Sequence, residues 1–330
     1  MTNLYLLRKF SFVLGFAGLS ISAAQAQQRI FRNYNSQTVQ SAIASKDDSY
    51  ENNLVLIENA VSNYSSRGDD NKVLLLPIIF HVLTLDGEKP VSDEQIKQQL
   101  AVLNKYFGSY DNENKEQPNE DAKIYDALGA SPNIQFYQPD DNGNVKPVNY
   151  KATNRKNWGL VNQVQDPSQQ GVAPFDPEHF INVYIAELDS NNAGYAHLPL
   201  TAPEFDGIVI DPDFFGKASK AGFTPYGEGK TLVHLMGIYL GLYELWNQKE
   251  PCQDDHVNDT PLHDNPTISV STFPNTRNVC FCPGTPTTMY MNFMDNTDDA
   301  QLTLFTKGQV TRMRAVLLSE SLRRNELVKK

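Results

Sequence analysis

Residues 231–246 read TLVHLMGIYLGLYELW. Leu232, Leu235, Met236, Ile238, Tyr239, Leu242 and Leu245 make this stretch apolar around much of its circumference, as in a helix buried on most sides. We expect a central helix over roughly residues 228–246. Three residues interrupt the apolar run at a regular interval: His234, Gly241 and Glu244. The histidine is either a satisfied core imidazole or a ligand, and a glycine so deep in the pattern marks a bend.

The flanking segments say what this helix packs against. VLLLPIIFHVL (73–83) reads as a buried strand, with His81 as a core histidine inside it. VSDEQIKQQLAVLNKYFG (91–108) reads as a helix capped by Ser92, with Gln95 closing a capping box. Ile96, Leu100, Leu103 and Phe107 share one of its faces. After a polar excursion, residues 108–131, come short strands at NIQFYQ (133–138), FINVYIAEL (180–188), AGYAHL (193–198) and DGIVID (206–211). Beyond the central helix lies a loop-rich stretch, 247–288, and Phe305 to Lys330 reads as a final helix entered at Thr306. This order predicts an α+β fold: a twisted mixed sheet with two helices against it, then an irregular lower subdomain closed by a C-terminal helix.

The N-terminus carries an export signal. Arg8 and Lys9 precede an apolar run, Phe10 to Ile21, and Ala24-Gln25-Ala26 forms a cleavage site. We expect a signal peptide over 1–26, a leader over 27–72 and a main domain over 73–330, itself divided at about residue 246 into upper and lower subdomains. Within the leader, YENNLVLIENAVSNY (50–64) is amphipathic, and SSRGDDNK (65–72) is a candidate processing site. The destination is secreted or periplasmic, and no other apolar run approaches membrane length.

Net charge is −11, and losing the two positive residues of the signal moves it to about −13. Such a surface repels phosphate backbones, which argues against a nucleic-acid partner. The three cysteines, Cys252, Cys280 and Cys282, predict one disulfide in an oxidising compartment, from Cys252 to either of the others.

Taken in order, LLLPIIFHVL, VSDEQIKQQLAVLNKYF, FINVYIAEL, AGYAHLP, FDGIVIDPDFFG, GKTLVHLMGIYLGLYELW, DDHVNDTP and NFMDNTDDAQLTLFTKGQVTRMRAVL resemble the pappalysin family of metzincin zinc peptidases, particularly the small secreted bacterial members. The resemblance implies a metzincin fold over most of the mature chain. It also implies roles. The family motif H-E-x-x-H-x-x-G-x-x-H holds zinc through three histidines, bends at its glycine and polarises a water with its glutamate. A turn containing a methionine lies under the site. Here His234 and Gly241 occupy their slots, and Met294 supplies the turn.

The remaining slots differ. Leu235 stands where the family has its glutamate, Ile238 at the second histidine, Glu244 at the third, and Asn296 where a tyrosine stabilises the transition state. In the leader, Arg32-Asn33-Tyr34-Asn35-Ser36 matches the R-x-C-G-T latch, with Tyr34 in place of the zinc-binding cysteine. Neither Leu235 nor Ile238 can take a proton or donate a lone pair, so His234 and Glu244 are vestigial metal slots and no catalytic residue is expected. A third ligand would have to come from His179, His256 or His263. We therefore expect no zinc and no hydrolysis, with the former substrate cleft binding a protein or peptide. A working zinc endopeptidase with substituted ligands is the competing expectation. In DDHVNDTP, Asp254, Asp255, Asp259 and Thr260 read either as a calcium loop, as the resemblance implies, or as a solvated acidic turn.

Overall fold

The computed structural model describes residues 32–328, apart from 47, 65–71, 86–87, 109–124, 126, 142–144, 162, 190–191, 218–224, 248, 278–286 and 323–325. The leader enters as a short strand, β1 (Asn33–Tyr34), and two helices, α1 (Ser36–Ala44) and α2 (Tyr50–Asn63). Then come β2 (Leu74–Leu85), α3 (Asp93–Gly108), β3 (Gly129–Ala130), β4 (Ile134–Tyr137), β5 (Val148–Thr153), β6 (Ile181–Ile185), β7 (Asn192–Ala196) and β8 (Ile208–Ile210). The central helix, α4, spans Lys230–Tyr239, and the chain closes with β9 (Phe305–Thr306) and α5 (Lys307–Leu318).

The main sheet runs β1-β7-β8-β6-β2-β4, with β5 also beside β2. β2 explains its own apolar composition: it pairs with β6 on one side and with β4 and then β5 on the other, and all its residues but Leu75 and Leu85 are buried. β7 runs antiparallel to β8, and β1 lies parallel on the outer edge of β7. The sheet is mixed and the class α+β, as the sequence predicts. β3 and β9 form a separate two-stranded sheet.

α3 begins as its capping box requires: the Ser92 N–H donates to Gln95 Oε1 at 2.9 Å, and the Gln95 N–H donates back to Ser92 Oγ at 3.2 Å. Its inward face differs in one place. Leu100 is only half-buried, whereas Gln99 is fully buried, donating to the Gly229 carbonyl and accepting from the Gly216 N–H. A buried amide is tolerated because both of its ends are used.

Two helices are shorter than their sequence pattern suggests. α4 stops at Tyr239, not near 246, because the chain turns at Gly241, whose φ is +96°. α5 does carry the capping box of Thr306 and Gln309, but it ends at Leu318, where Ser319 turns extended. β1, α1, β3, β5 and β9 lack apolar periodicity and were not expected; β5, VNYKAT, is a half-exposed edge.

All ten residues of α4 are buried, and its apolar side chains belong to a core shared with β2, β6, β8 and the 289–305 segment. The leader is part of the same packing. Tyr34 joins that core, and α2 packs on α5 through Glu58, which accepts from both terminal nitrogens of Arg312 at 2.9 and 2.6 Å. His81 is a core residue too, with Nε2 2.8 Å from Asn182 Oδ1, and burial pushes its pKa down to about 4. Among the described residues no helix is long and apolar enough to cross a membrane. The signal-peptide reading, 1–26, and all of the processing-site reading, 65–72, except Lys72 lie outside the described residues.

Candidate functional site

α4 carries His234 against the 289–299 segment. The imidazole is fully buried, and its Nδ1 donates to the Phe293 carbonyl at 2.8 Å. That bond leaves Nε2 as the ring nitrogen turned toward residue 244. After Tyr239 the chain reverses at Gly241 and brings Glu244 back, so that Oε1 lies 3.5 Å from His234 Nε2. Neither of these two atoms has a hydrogen-bond partner. The bend therefore does here what the motif's glycine implies: it returns the residue at 244 to the residue at 234. A side chain at 241 would be strained and crowded, since an added Cβ would sit 2.8 Å from Val316 Cγ2.

Met294 forms the floor beneath the helix. Its sulfur lies so near Gly237 that an added Cβ would stand 2.7 Å away. Leu235 and Ile238 are hydrocarbon on the buried faces of α4, 0% and 1% exposed. Leu235 packs under the edge strand at Gly194, where an added Cβ would fall 2.9 Å from Leu235 Cδ1. Each of these burials contributes roughly 2 kcal/mol to the fold.

Zinc is the metal that the resemblance implies. A tetrahedral catalytic site takes three protein donors; this segment provides two, His234 on α4 and Glu244 after the turn, with Ile238 on the helix between them. His256 pairs with Glu58, His263 faces Asp295, and His179 bonds Asp176, so each of the other candidate histidines is engaged elsewhere. Among the described residues no group of three or more His, Cys, Asp or Glu could hold a metal ion. The residues present do not fit a three-ligand zinc site.

The leader occupies the space above His234. The Tyr34 ring stacks on the imidazole at 3.7 Å with the planes 4° apart. Arg32, 1% exposed, sends its guanidinium to Asp299 Oδ1 at 2.6 Å, the Thr297 carbonyl at 2.6 Å, Asn296 Oδ1 at 3.0 Å and Thr231 Oγ1 at 3.3 Å. Its charged plane also lies 4.5 Å from the Tyr226 ring centre. Asn296 returns a bond from Nδ2 to the Arg32 carbonyl at 3.0 Å. From the first turn of α1, Gln37 donates to Glu244 Oε2 and to the Trp246 carbonyl. Beside Glu244 a cavity of about 380 Å³ opens between α1, α2 and residues 242–256. Sequence reasoning placed Arg32 and Tyr34 in the leader but missed Gln37, Thr231, Tyr226 and Asp299; only the tertiary fold brings these together.

The acidic turn is organised by its own chain. Asp254 Oδ1 accepts from the His256 N–H, and both Asp255 oxygens accept from the Thr260 hydroxyl. Asp259 accepts from the Thr306 hydroxyl and the Gly308 N–H, which fastens the turn to the start of α5. Burial raises the Asp255 pKa to about 7. The three carboxylates thus accept from protein donors, the Thr260 hydroxyl among them. Cys252 is disulfide-bonded, while Cys280 and Cys282 lie outside the described residues.

Comparison with known proteins bears on the whole arrangement. A family model described as Pregnancy-associated plasma protein-A, of the peptidase M43 type, matches residues 168–318. An extracellular metalloprotease of Arthroderma otae is 26% identical over 71% of this chain and 74% of its own length. One from Arthroderma benhamiae is 24% identical over 80% and 85%. Among solved structures, mature mirolysin of Tannerella forsythia in complex with a cleaved peptide superposes with a TM-score of 0.70 and 30% identity, covering 78% of this chain and 96% of that one. A promirolysin mutant from the same organism gives 0.77 and 29%, covering 90% and 97%.

Proposed function

This chain belongs to the pappalysin family of metzincin metallopeptidases, and from that premise we propose that it is an exported member without peptidase activity, whose cleft holds a peptide or protein segment. One observation carries the proposal. On the buried helix where hydrolysis would need a base and a further ligand, Leu235 and Ile238 are packed hydrocarbon. Neither can accept a proton from water or complete a metal's coordination.

The surrounding geometry supports it. Asn296, in the slot for a transition-state donor, is committed to Arg32 on both sides of its amide. The Tyr34 ring covers the face of His234. A leader over 27–72 and a body over 73–330 accord with the share of this chain matched, which rises from 78% against mature mirolysin to 90% against the promirolysin mutant. The relatives' description as extracellular metalloproteases agrees with export. A bridge from Cys252 to Cys280 or Cys282 would brace the lower subdomain.

A second reading, a zinc endopeptidase with substituted ligands, draws on one observation: the unpartnered Nε2 of His234 and Oε1 of Glu244 converge to 3.5 Å. The two readings separate on the purified full chain, by zinc content and by peptide cleavage with and without chelator. The proposal expects zinc well below one per chain and no cleavage that chelator removes. Stoichiometric zinc, with cleavage abolished by His234→Ala, would support the second reading instead.

A further inference from the structure

We infer that the cleft has become a binding site for a segment of the pattern Arg-x-aromatic-x-x-Gln, extended through its aromatic position and helical at its glutamine, with the chain's own leader as resident occupant. This deepens the peptide-binding proposal by naming the chemistry that the cleft selects. The inference stands on a correspondence: three family slots each meet one leader side chain. Asn296 meets Arg32, His234 meets Tyr34, and Glu244 meets Gln37.

Each pairing suits the residue now present. The amide of Asn296 carries its donor and acceptor on separate atoms and so holds Arg32 at two points, Nε and the carbonyl. An imidazole face without a metal-bound neighbour offers a flat surface on which an aromatic ring can stack. The carboxylate of Glu244 accepts the Gln37 amide, whose bond to the Trp246 carbonyl sets its direction. Around the guanidinium, Asp299 supplies the one negative charge, Thr231 and the Thr297 carbonyl supply acceptors, and Tyr226 supplies a π face.

The backbone provides what is common to any strand. β1 extends the sheet alongside β7, and the Asn35 N–H donates to the Gly194 carbonyl at 3.0 Å. In such strand addition the main chain gives affinity and alternate side chains give selectivity. Arg32 and Tyr34 are alternate and buried; Asn33 between them is exposed. The cleft therefore reads the first, third and sixth positions of the segment and ignores the second.

The test uses the full chain with a specific protease site placed within residues 65–71, cut after folding. The leader fragment is labelled and exchanged against synthetic peptides spanning residues 27–66. We expect the labelled fragment to stay with the body through gel filtration after the cut, and the wild-type peptide in excess to replace it. A peptide with Arg32→Ala should compete at least roughly 100-fold less well, as loss of a buried charge pair implies. One with Tyr34→Ala should compete about 10-fold less well, and one with Asn33→Ala within about twofold of wild type. Because the variants sit in the competitor, the folding of the body is not at issue. A fragment that leaves on cutting, a resident that the wild-type peptide cannot replace, or equal competition by the Arg32→Ala peptide overturns the inference. Zinc content and cleavage, read on the uncut protein, judge the loss of peptidase activity separately.

Discussion

Replacing Arg32 by alanine removes the most heavily bonded side chain among the described residues of the leader. The guanidinium donates to four acceptors, and its partner Asp299 is wholly buried. Asp299 Oδ2 would still accept the N–H groups of Glu228 and Lys230, at 3.0 and 3.3 Å, but Oδ1 would lose its charged donor. Removing one member of a buried ion pair costs about 3–5 kcal/mol, most of it from the charge left behind. Water entering the vacated space would offset part of this, so a loss of about 3 kcal/mol is expected. The second substitution Asp299→Asn should therefore cost much less in the Arg32→Ala background than alone, with a coupling of about 2 kcal/mol. Urea unfolding followed by tryptophan fluorescence suits the measurement, since Trp158 and Trp246 are buried. A loss under about 1 kcal/mol for Arg32→Ala, or strictly additive costs in the double variant, would refute the claim that the leader is part of the folded core.

Other outcomes follow from single features. Burial lowers the His81 pKa to about 4, so its stabilising effect is fully present above the unfolded value of about 6.5 and is lost as pH falls towards 4. The stability deficit of His81→Gln should consequently shrink by about 2 kcal/mol between pH 7 and pH 5. The difference between the two proteins is the quantity to measure, because burial raises Asp255 and Asp211 to about 7 and about 6 and these act in the opposite sense. Gly241→Ala forces a side chain into φ +96° against Val316, and thermal unfolding should register a cost of about 1–3 kcal/mol. Restoring the family residues together, Leu235→Glu, Ile238→His, Glu244→His and Asn296→Tyr, should give zinc binding by elemental analysis at least about tenfold tighter when Tyr34→Ala is added, since the ring on His234 must leave first.

Much of the fold is legible where local signals and burial agree. β2 is a largely apolar run because strands cover both of its edges and ten of its twelve residues are buried, and α3 announces its start through a capping box at Ser92. The ends of helices are less legible. Apolar periodicity continues past Tyr239 to Leu245, but those later residues are buried after the turn at Gly241 rather than on the helix. β5 and β1 escape because an edge strand needs little hydrophobic pattern.

The site divides in the same way. His234, Glu244, Gly241 and Met294 can be placed through the resemblance of their segments to the family's motif and turn. Asp299, Thr231 and Tyr226 cannot, because what unites them is Arg32, whose bonded partners Thr231 and Asp299 lie 199 and 267 positions away in sequence. Asn296 shows the difference most clearly: in the sequence it marks a missing tyrosine, and in the fold it is a receptor for an arginine.

The central claim is that this family member has exchanged hydrolysis for binding. The most direct measurement is zinc per chain on the purified full protein, taken with cleavage of a broad peptide mixture in the presence and absence of chelator. The account predicts substoichiometric zinc and no chelator-sensitive cleavage; one zinc per chain with cleavage that both chelator and His234→Ala abolish would contradict it.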